Sequence, residues 1–516
     1  MDMGIHVVIY QCLMLIGLSC LPILSYGRSN PRNVLVIIGD DVGFETSIYN
    51  NTVCKTPNLE RLAKRSVTLK HGYTSVSSCS PSRSAIMTGL PSHQNGIYGL
   101  YGGVHHFHAF DNVKTLPVIL RPHGIKTGII GKKHVGPPEV FKYDYEKTEF
   151  NLPMLQCARN ITKMKGFVRE FFAMNESMPF LLYIGFNDCH RCPESKFGDF
   201  CEKFGNGQPE YGVIPDWKPA YYDPKDVIVP PFLPDTPATR GDIANQYTSM
   251  SRLDAGIGML LDELKSHGYL DNTLILYSAD NGIPFPNAKT NLYESGMGEP
   301  FLVSSPFETS RWGEVSESLA STTDILPTVL EWFDIPFPSY KLNGATVALT
   351  GKSLLPLAKQ DPSSGFDHVF SSHNFHEVYM YYPMRVMRNK QYRLIHNLNY
   401  MAPYPIATDL YDNPTFKDIL NHTLSKQPTK WFKTLEQYYY RDEYELYDVV
   451  DDPLETNNLA HQEDYADIFE EMHDTLYKWR LATNDYWKCY PEGVRYKNTC
   501  ADLDNAPPYQ KYVNPV

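Results

Sequence analysis

Four short runs of β-branched and aliphatic residues, each ending in a polar cluster, constrain this chain more than any other feature. They are Asn33–Gly39 followed by Asp40 and Asp41, Thr127–Gly131 followed by Lys132, Lys133 and His134, Phe180–Phe186 followed by Asn187, Asp188, Cys189 and His190, and Thr273–Ala279 followed by Asp280, Asn281 and Gly282. Near-continuous apolar runs of this length read as strands buried on both faces, as in a parallel sheet covered by helices. Helical spacing lies between them: Tyr247, Met250, Leu253, Ile257, Leu260 and Leu264 share one face, with Gly268 as the C-cap. The β–α–β alternation predicts an α/β fold. Open parallel sheets bind ligands beyond the carboxyl ends of their strands, so all four clusters are expected to converge there although they lie far apart along the chain.

After about Ser372 the sequence becomes Tyr-rich, with short strands and turns, and a late helix carries Tyr465, Ile468, Phe469, Met472, Leu476 and Trp479 on one stripe. A smaller C-terminal α+β domain with an antiparallel sheet is expected over residues 373–516, behind a catalytic domain over 28–372. Residues 1–27 read as a signal peptide: Val7 to Leu24 is apolar and Ser25-Tyr26-Gly27 is a small-x-small cleavage pattern. Asp2 and the lack of Lys or Arg before the apolar run keep an uncleaved membrane anchor open as the alternative, and no later segment is long and apolar enough to span a bilayer. Sequons at Asn50, Asn160, Asn175 and Asn421 fit the secretory pathway. In an oxidising compartment the natural short-range disulfides are Cys192–Cys201 and Cys489–Cys500. With Cys12 and Cys20 in the signal segment, this leaves Cys54, Cys79, Cys157 and Cys189. The net charge of −12 makes nucleic acid a poor partner and requires any anion site to be locally positive.

Asp40, Asp41, Asp280 and Asn281 supply hard oxygen donors at two strand ends. Carboxylates that converge in a partly buried site raise one another's pKa unless a cation is present, and oxygen-only ligation suits Ca²⁺ or Mg²⁺ rather than zinc. The bland reading is helix N-capping by aspartate. The segment Cys79-Ser80-Pro81-Ser82-Arg83 places Pro81 like the first residue of a helix and Cys79 at the anion-binding N-terminus, with Arg83 one turn on. Packing of a buried cysteine is the alternative reading.

The run Cys79, Pro81, Arg83, Thr88, Gly89 resembles the type I sulfatase signature C-x-P-x-R followed by T-G. The resemblance implies an alkaline-phosphatase-like sulfatase fold: a large mixed, mainly parallel sheet sandwiched by helices, plus the smaller C-terminal domain. It also implies that Cys79 is converted to 3-oxoalanine (formylglycine) by the formylglycine-generating enzyme, that the hydrated aldehyde attacks sulfur, and that a sulfated hemiacetal collapses to release sulfate. One Ca²⁺ per chain would be held by Asp40, Asp41, residue 79, Asp280 and Asn281. Lys132 and His134 match the family's G-K-x-H motif, His190 its histidine after the third strand, and Lys289 its basic residue beyond D-N-G. Asn187 and Cys189 interrupt the common H-x-P-H motif. Glu445–Asp448 and Asp452–Ala460 resemble the family's C-terminal-domain signature, and within the family the stretches 75–83, 128–136, 201–207, 280–286 and 381–385 resemble the branch that removes N-linked sulfate from terminal N-sulfoglucosamine of heparan sulfate. That likeness implies a heparan sulfate-derived oligosaccharide as substrate, lysosomal delivery through the secretory pathway and a homodimer.

On this reading Arg83, Lys132 and Lys289 clamp the sulfate, His190 protonates the leaving nitrogen and His134 takes a proton from residue 79. Three aspartates, a divalent cation and three basic side chains leave a local excess of two positive charges. His105, His106, His376 and Glu377 are candidate substrate-rim residues, against the plainer reading of ordinary surface and loop contacts; Lys133 is expected to be solvated or salt-bridged. The competing functions are an O-sulfatase acting on another sulfated glycan, a phosphodiesterase of the wider superfamily, and an inactive homologue that binds sulfated glycans.

Overall fold

The computed structural model describes residues 32–174, 178–192, 196–490, 493–496 and 499–502. The expected signal segment, Cys12, Cys20 and the sequon at Asn175 lie outside these residues. Eight strands form one sheet: β1 (Asn33–Gly39), β2 (Val67–Tyr73), β3 (Lys126–Gly131), β4 (Tyr145–Thr148), β5 (Phe180–Gly185), β6 (Thr273–Ala279), β7 (Phe301–Ser304) and β8 (Val315–Ser321). Their order is β4-β3-β5-β1-β6-β7-β2-β8, parallel throughout except where β7 runs antiparallel to β6 and β2.

Alternate residues of the central strands enter different cores. Leu35, Ile37, Leu182, Ile184, Ile275 and Tyr277 belong to one buried cluster, and Val34, Val36, Ile38, Leu181, Tyr183, Leu274 and Leu276 to another. Two apolar faces explain why these strands lack the polar alternation of a half-exposed sheet. Helix α2 (Pro237–Ser266) covers the first face with the stripe Tyr247, Met250, Leu253, Ile257, Leu260 and Leu264. Proline sits in its first turn and the Thr236 hydroxyl caps it, accepting from Thr239 N–H at 3.3 Å. Gly268, with φ +74°, follows the C-cap residue His267.

A small pair, β9 (Lys341–Leu342) and β10 (Ala345–Thr346), precedes an antiparallel sheet of β11 (His368–His373), β12 (Met384–Asn389), β13 (Tyr392–Asn397) and β14 (Tyr444–Asp448). The division drawn from sequence after residue 372 falls inside β11. One side of this sheet packs on α4 (Ala466–Ala482), where Met472, Leu476 and Trp479 meet Met387, Leu394 and Leu446. The other side shares a core with Tyr73, Leu292, Tyr293 and Met297 of the larger unit. Among the described residues, no helix is long and apolar enough to cross a membrane. Both expected disulfides are formed, Cys192–Cys201 and Cys489–Cys500, and Cys54, Cys79, Cys157 and Cys189 are free and buried.

His93 ties the units together. Its Nδ1 lies 3.0 Å from Ser372 Oγ and its Nε2 2.8 Å from Thr483 Oγ1, with no exposure to solvent. Burial, with Arg385 and Arg480 adding to it against Asp485, holds this imidazole down to about 3. The unfolded chain takes up a proton near pH 6.5 and the folded chain does not, so stability is full above pH 6.5 and falls as pH drops toward 3. Replacing His93→Gln should flatten that fall, by about 2 kcal/mol at pH 5 relative to pH 7. Urea unfolding at the two pH values measures it; an unchanged difference would refute the assignment.

Candidate active site

Register places the four clusters within one residue of a common level. Gly39 pairs with Ala279, and Ile38 and Gly131 both pair with Gly185, so Asp40 and Asp280 leave the sheet side by side, one residue beyond the level of Lys132 and Phe186. The tips are stitched beyond the ladder: Asp40 N–H donates to Asp188 O at 3.0 Å and Lys132 N–H to Gly185 O at 2.7 Å. This closeness needs glycine. A Cβ on Gly131, whose φ is +95°, would stand 2.0 Å from Gly185 O, and one on Gly185 would stand 2.1 Å from Lys132 O. Two non-glycine residues at the tips, Asp41 and His134, also hold positive φ, +56° and +51°. Left-handed backbone costs about 1 kcal/mol or more at such residues, and these sit where side chains converge.

Helix α1 (Cys79–Thr88) aims its N-terminus into this cluster. It begins at Cys79 itself, with Ser78 as N-cap; Pro81 is the third helical residue rather than the first as expected from sequence. Every residue of the helix is buried, and Gly89 ends it with φ +67°. Cys79 Sγ lies 3.8 Å from Asp40 Oδ1. Burial pushes the Cys79 thiol well up, with Asp280 and Asp40 adding to the rise and Lys132 and Lys289 opposing it. As a plain thiol, residue 79 is therefore protonated and a weak nucleophile.

Asp40, Asp41 and Asp280 cap no helix, which removes the bland reading. Each meets a basic side chain. Lys132 Nζ donates to Asp40 Oδ2 at 2.5 Å, Lys289 Nζ to Asp41 Oδ2 at 2.9 Å and Arg83 Nε to Asp280 Oδ2 at 2.8 Å. The carboxylates thus converge with basic partners interleaved, a balance that sequence reasoning did not foresee. Burial still pushes Asp280 up to about 7, with Asp40 and Asp41 contributing, although Arg83 and Lys132 pull it down. One more positive charge is what this cluster lacks. Asn281 Nδ2 donates to Asp41 Oδ1 at 2.6 Å, while its Oδ1 is buried without a hydrogen-bond partner. Donor atoms of Asp40, Asp41 and Cys79 lie within 4.8 Å of one another. An oxygen-rich donor set with an orphaned carbonyl oxygen fits a hard divalent cation.

His190 is held by its Nδ1, 2.7 Å from Arg191 O. That nitrogen donates to the carbonyl, and Nε2 faces Asp409 Oδ2 at 4.0 Å. His134 N–H and Lys133 N–H both donate to Glu149, at 2.6 and 2.9 Å. His134 Nδ1 is buried without a hydrogen-bond partner, and burial, with Lys132 and Arg83, holds this imidazole well below its usual range. Lys133 points away, buried rather than solvated, on Glu146 at 2.9 Å.

The rim candidates separate. His376 belongs to the inner wall, buried, its Nδ1 2.8 Å from Ser78 Oγ beside Cys79. Glu377 accepts from Thr408 N–H at 3.2 Å and holds the turn that carries Asp409. His105 accepts from Val378 N–H at 3.1 Å, and His106 is exposed and stacks with His108; neither shares a contact with the Asp40–Cys79 cluster.

Glu149 and Asp409 escaped the sequence analysis, and Asn187 entered it only as a member of a polar cluster and an interruption of the family motif. Glu149 anchors the loop 132–134. Asn187, in the amide orientation that satisfies it, donates to Asp40 Oδ2 at 2.6 Å. Asp409, on the short helix α3 (Thr408–Tyr411), accepts from Lys289 Nζ at 3.1 Å. Burial opposes ionisation of Asp409, but Lys289, His190 and His376 together hold it well below the usual carboxylate range. This fourth carboxylate lowers the expected local excess, with a divalent cation counted, from two positive charges to one. No motif marks Asp409; it arrives from the smaller unit by tertiary packing.

Residues 32–335 match the sulfatase family. N-sulphoglucosamine sulphohydrolase of Homo sapiens is 51% identical over 493 residues, covering 94% of this chain and 98% of the relative. N-acetylgalactosamine-6-sulfatase of Homo sapiens is 26% identical, covering 65% of this chain and 67% of the relative. Among solved structures, BT4656 in complex with D-glucosamine-2-N,6-O-disulfate aligns with a TM-score of 0.61 at 18% identity, covering 88% of this chain and 98% of that one. Phosphonate monoester hydrolase of Agrobacterium radiobacter aligns at 0.59 and 15%, covering 88% and 96%. At these identities the two structures share the fold alone. With more than half the chain matched and half the residues shared with a sulphohydrolase along almost its whole length, this chain belongs to the sulfatase family and is a hydrolase of that family.

Proposed function

We propose that the chain removes N-linked sulfate from terminal N-sulfoglucosamine of heparan sulfate and heparin fragments. The observation that carries this reading is the 51% identity, over 94% of the chain, to a relative named for N-sulphoglucosamine. The pocket supports it: a helix N-terminus, Arg83, Lys132 and Lys289 surround residue 79 and suit a sulfuryl group.

Asp40, Asp41, Asp280, Asn281 and residue 79 would hold one Ca²⁺, which supplies Lewis-acid activation beside the nucleophilic hydrated aldehyde of formylglycine at position 79. Arg83, Lys132 and Lys289 bind the sulfate oxygens and neutralise the charge that builds in the transition state. An amine is too basic to leave as an anion, so its nitrogen needs a proton, and His190 Nε2 is the donor. Burial, with Lys289 and Lys132, holds free His190 down to about 4, against Asp41 and Asp40. The negative sulfate raises its affinity for a proton, so His190 is charged together with substrate binding. His134 stays neutral in acid and accepts a proton from the hydroxyl at residue 79.

Residues 28–372 form the catalytic domain on this reading, and residues 373–516 a smaller domain that closes one wall with His376 and Asp409. Passage through the secretory pathway to the lysosome, maturation by the formylglycine-generating enzyme and assembly as a homodimer accompany the reading. Asn50 and Asn421 are exposed; the Asn160 side chain caps a helix through Oδ1, which accepts from Lys163 N–H at 3.2 Å, while its Nδ2 donates to Gln156 Oε1 at 3.1 Å. The test is direct. Purified mature protein is offered N-sulfoglucosamine beside 6-O-sulfated glucosamine, and sulfate is expected from the first alone. Release from the 6-O-sulfate instead makes the chain an O-sulfatase, and release from neither supports a binding protein.

A further inference from the structure

Asp409 has a chemistry that the sulfate clamp does not use. One carboxylate oxygen, Oδ2, is taken by Lys289 Nζ at 3.1 Å, and the other, Oδ1, is buried without a hydrogen-bond partner. Lys289 in turn reaches Asp41 at 2.9 Å, so its ammonium bridges the carboxylate cluster beneath residue 79 to a carboxylate on the opposite wall. Donor atoms of Asp41, His190 and Asp409 lie within 4.8 Å of one another. The Lys289 ammonium already bridges the two carboxylates of that group, which makes it an ion-paired wall rather than a second metal centre.

The place of the leaving atom follows from His190. Its Nδ1 is fixed on Arg191 O, so only Nε2 can deliver a proton, and the atom it protonates lies within hydrogen-bond reach of Nε2. Asp409 Oδ2 is 4.0 Å from that same nitrogen. The carboxylate therefore lies beside the place that the leaving atom must occupy to take a proton from Nε2.

A carboxylate in that position distinguishes two otherwise similar substrates. A sulfamate, R–NH–SO₃⁻, carries a hydrogen on the bridging atom; a sulfate ester, R–O–SO₃⁻, presents only lone pairs. When the S–N bond breaks, its electron pair stays on nitrogen, which takes one proton and becomes an amine with two N–H groups. In acid the amine takes a further proton from solvent and leaves as an ammonium ion. Each stage offers hydrogen to an acceptor and gains positive charge toward it. An ester oxygen offers none and meets the carboxylate as a like charge.

We propose that Asp409 is the specificity-determining residue that selects N-linked over O-linked sulfate, its carboxylate accepting the bridging N–H and stabilising the departing amine. The proposal rests on the N-sulfate reading given above.

The experiment compares mature wild type with Asp409→Asn, Asp409→Ala and Asp409→Glu. Turnover is measured on N-sulfoglucosamine and on 4-methylumbelliferyl sulfate, whose bridging atom is oxygen; calorimetry titrates glucosamine and inorganic sulfate separately. Asp409→Asn should lower kcat/KM on the N-sulfate about 100-fold or more, chiefly in kcat, because a charged acceptor for the leaving group is lost. Turnover of the ester should stay within about 3-fold or rise. Glucosamine should bind about 10-fold more weakly, a loss of one charge-assisted contact, and sulfate as tightly as before or tighter, since Lys289 loses a competing anion. Asp409→Glu should recover part of the glucosamine affinity.

A purely structural role through Lys289 predicts the opposite pattern, with sulfate bound more weakly and both substrates slowed equally; that result overturns the assignment, as does unchanged glucosamine binding. If the ester is not turned over by any form, the two titrations decide. If Asp409→Asn and Asp409→Ala do not fold, the Glu variant decides by the same glucosamine-to-sulfate ratio. Failure of wild type itself to cleave N-sulfoglucosamine sinks the N-sulfate reading, whereas wild-type cleavage with an unaltered Asp409→Asn sinks this assignment only.

Discussion

Replacing Cys79→Ala should reduce sulfate release by a factor on the order of 10⁶ while leaving the protein folded, because it deletes the atom on which the proposed nucleophile is built. The side chain is buried, with its Sγ 3.8 Å from Asp40 Oδ1. Losing a single sulfur from a rigid helix start costs about 1 kcal/mol of packing, small beside the stability of a domain. Activity and stability should therefore separate cleanly. A coupled sulfate-release assay and a thermal melt on the same preparation measure both. Mass analysis of the wild-type peptide containing residue 79 should show an aldehyde, not a thiol. A Cys79→Ala protein that keeps even a hundredth of wild-type turnover would falsify the role given to residue 79.

Removing the divalent cation should be nearly as damaging and, unlike the substitution, reversible. Chelation is expected to cut activity by about 1,000-fold or more and to lower the melting temperature, with Ca²⁺ restoring both. The cause lies in the charge pattern. Asp280 is pushed up to about 7 by burial and by its neighbouring aspartates, so the cluster gains most from added positive charge. A cation present at 100 times its dissociation constant stabilises the fold by about 2.7 kcal/mol. Mg²⁺ should substitute poorly, since a set of five protein donors suits the larger, geometrically tolerant Ca²⁺, whereas Mg²⁺ keeps several of its waters. Asp280→Asn removes one donor and leaves Arg83 without its partner at 2.8 Å. Breaking such a buried pair costs about 3–5 kcal/mol, and this variant should lose the calcium-dependent rise in melting temperature. A rise that persists in Asp280→Asn, or chelated protein with full activity, contradicts the metal site as drawn.

The two cases differ in what they ask of the fold. Cys79 tests a reacting atom carried by one helix. Asp280 tests an electrostatic balance among side chains from four strands and the helix, with every basic group facing an acid. That balance also sets the operating range. His190 and His134 are both depressed by burial, His190 further by Lys289 and Lys132 and His134 by Lys132 and Arg83. On the proposed mechanism His190 is therefore neutral in the free protein and gains its proton with the anionic substrate, while His134 stays a neutral base.

Much of the architecture was legible along the chain because its signals are local. Val34, Val36 and Ile38 alternate with Leu35 and Ile37, and both sets are apolar, which only a strand covered on two sides requires. The stripe from Tyr247 to Leu264 spells its helix by spacing alone, and the nine- and eleven-residue loops made the two disulfides the short-range choice. The start of the helix at Cys79 was misjudged because Pro81 suits any of the first turn's positions, where no backbone N–H is needed. His105 and His106 drew notice only as histidines close in sequence, whereas His376, read with no more emphasis, is the one that reaches the wall beside Cys79.

What the linear chain determined by itself was the set of strands, their two-faced burial and the chemical character of their tips, since period and residue type are properties of neighbours in sequence. Tertiary structure alone decided which acid meets which base. Asp409 reaches Lys289 from a different unit across 120 residues, His93 joins Ser372 and Thr483, and Glu149 braces the loop of Lys132. Such pairings depend on distances of a few ångströms between distant segments, and the Coulomb energy that rewards them leaves no period in the sequence.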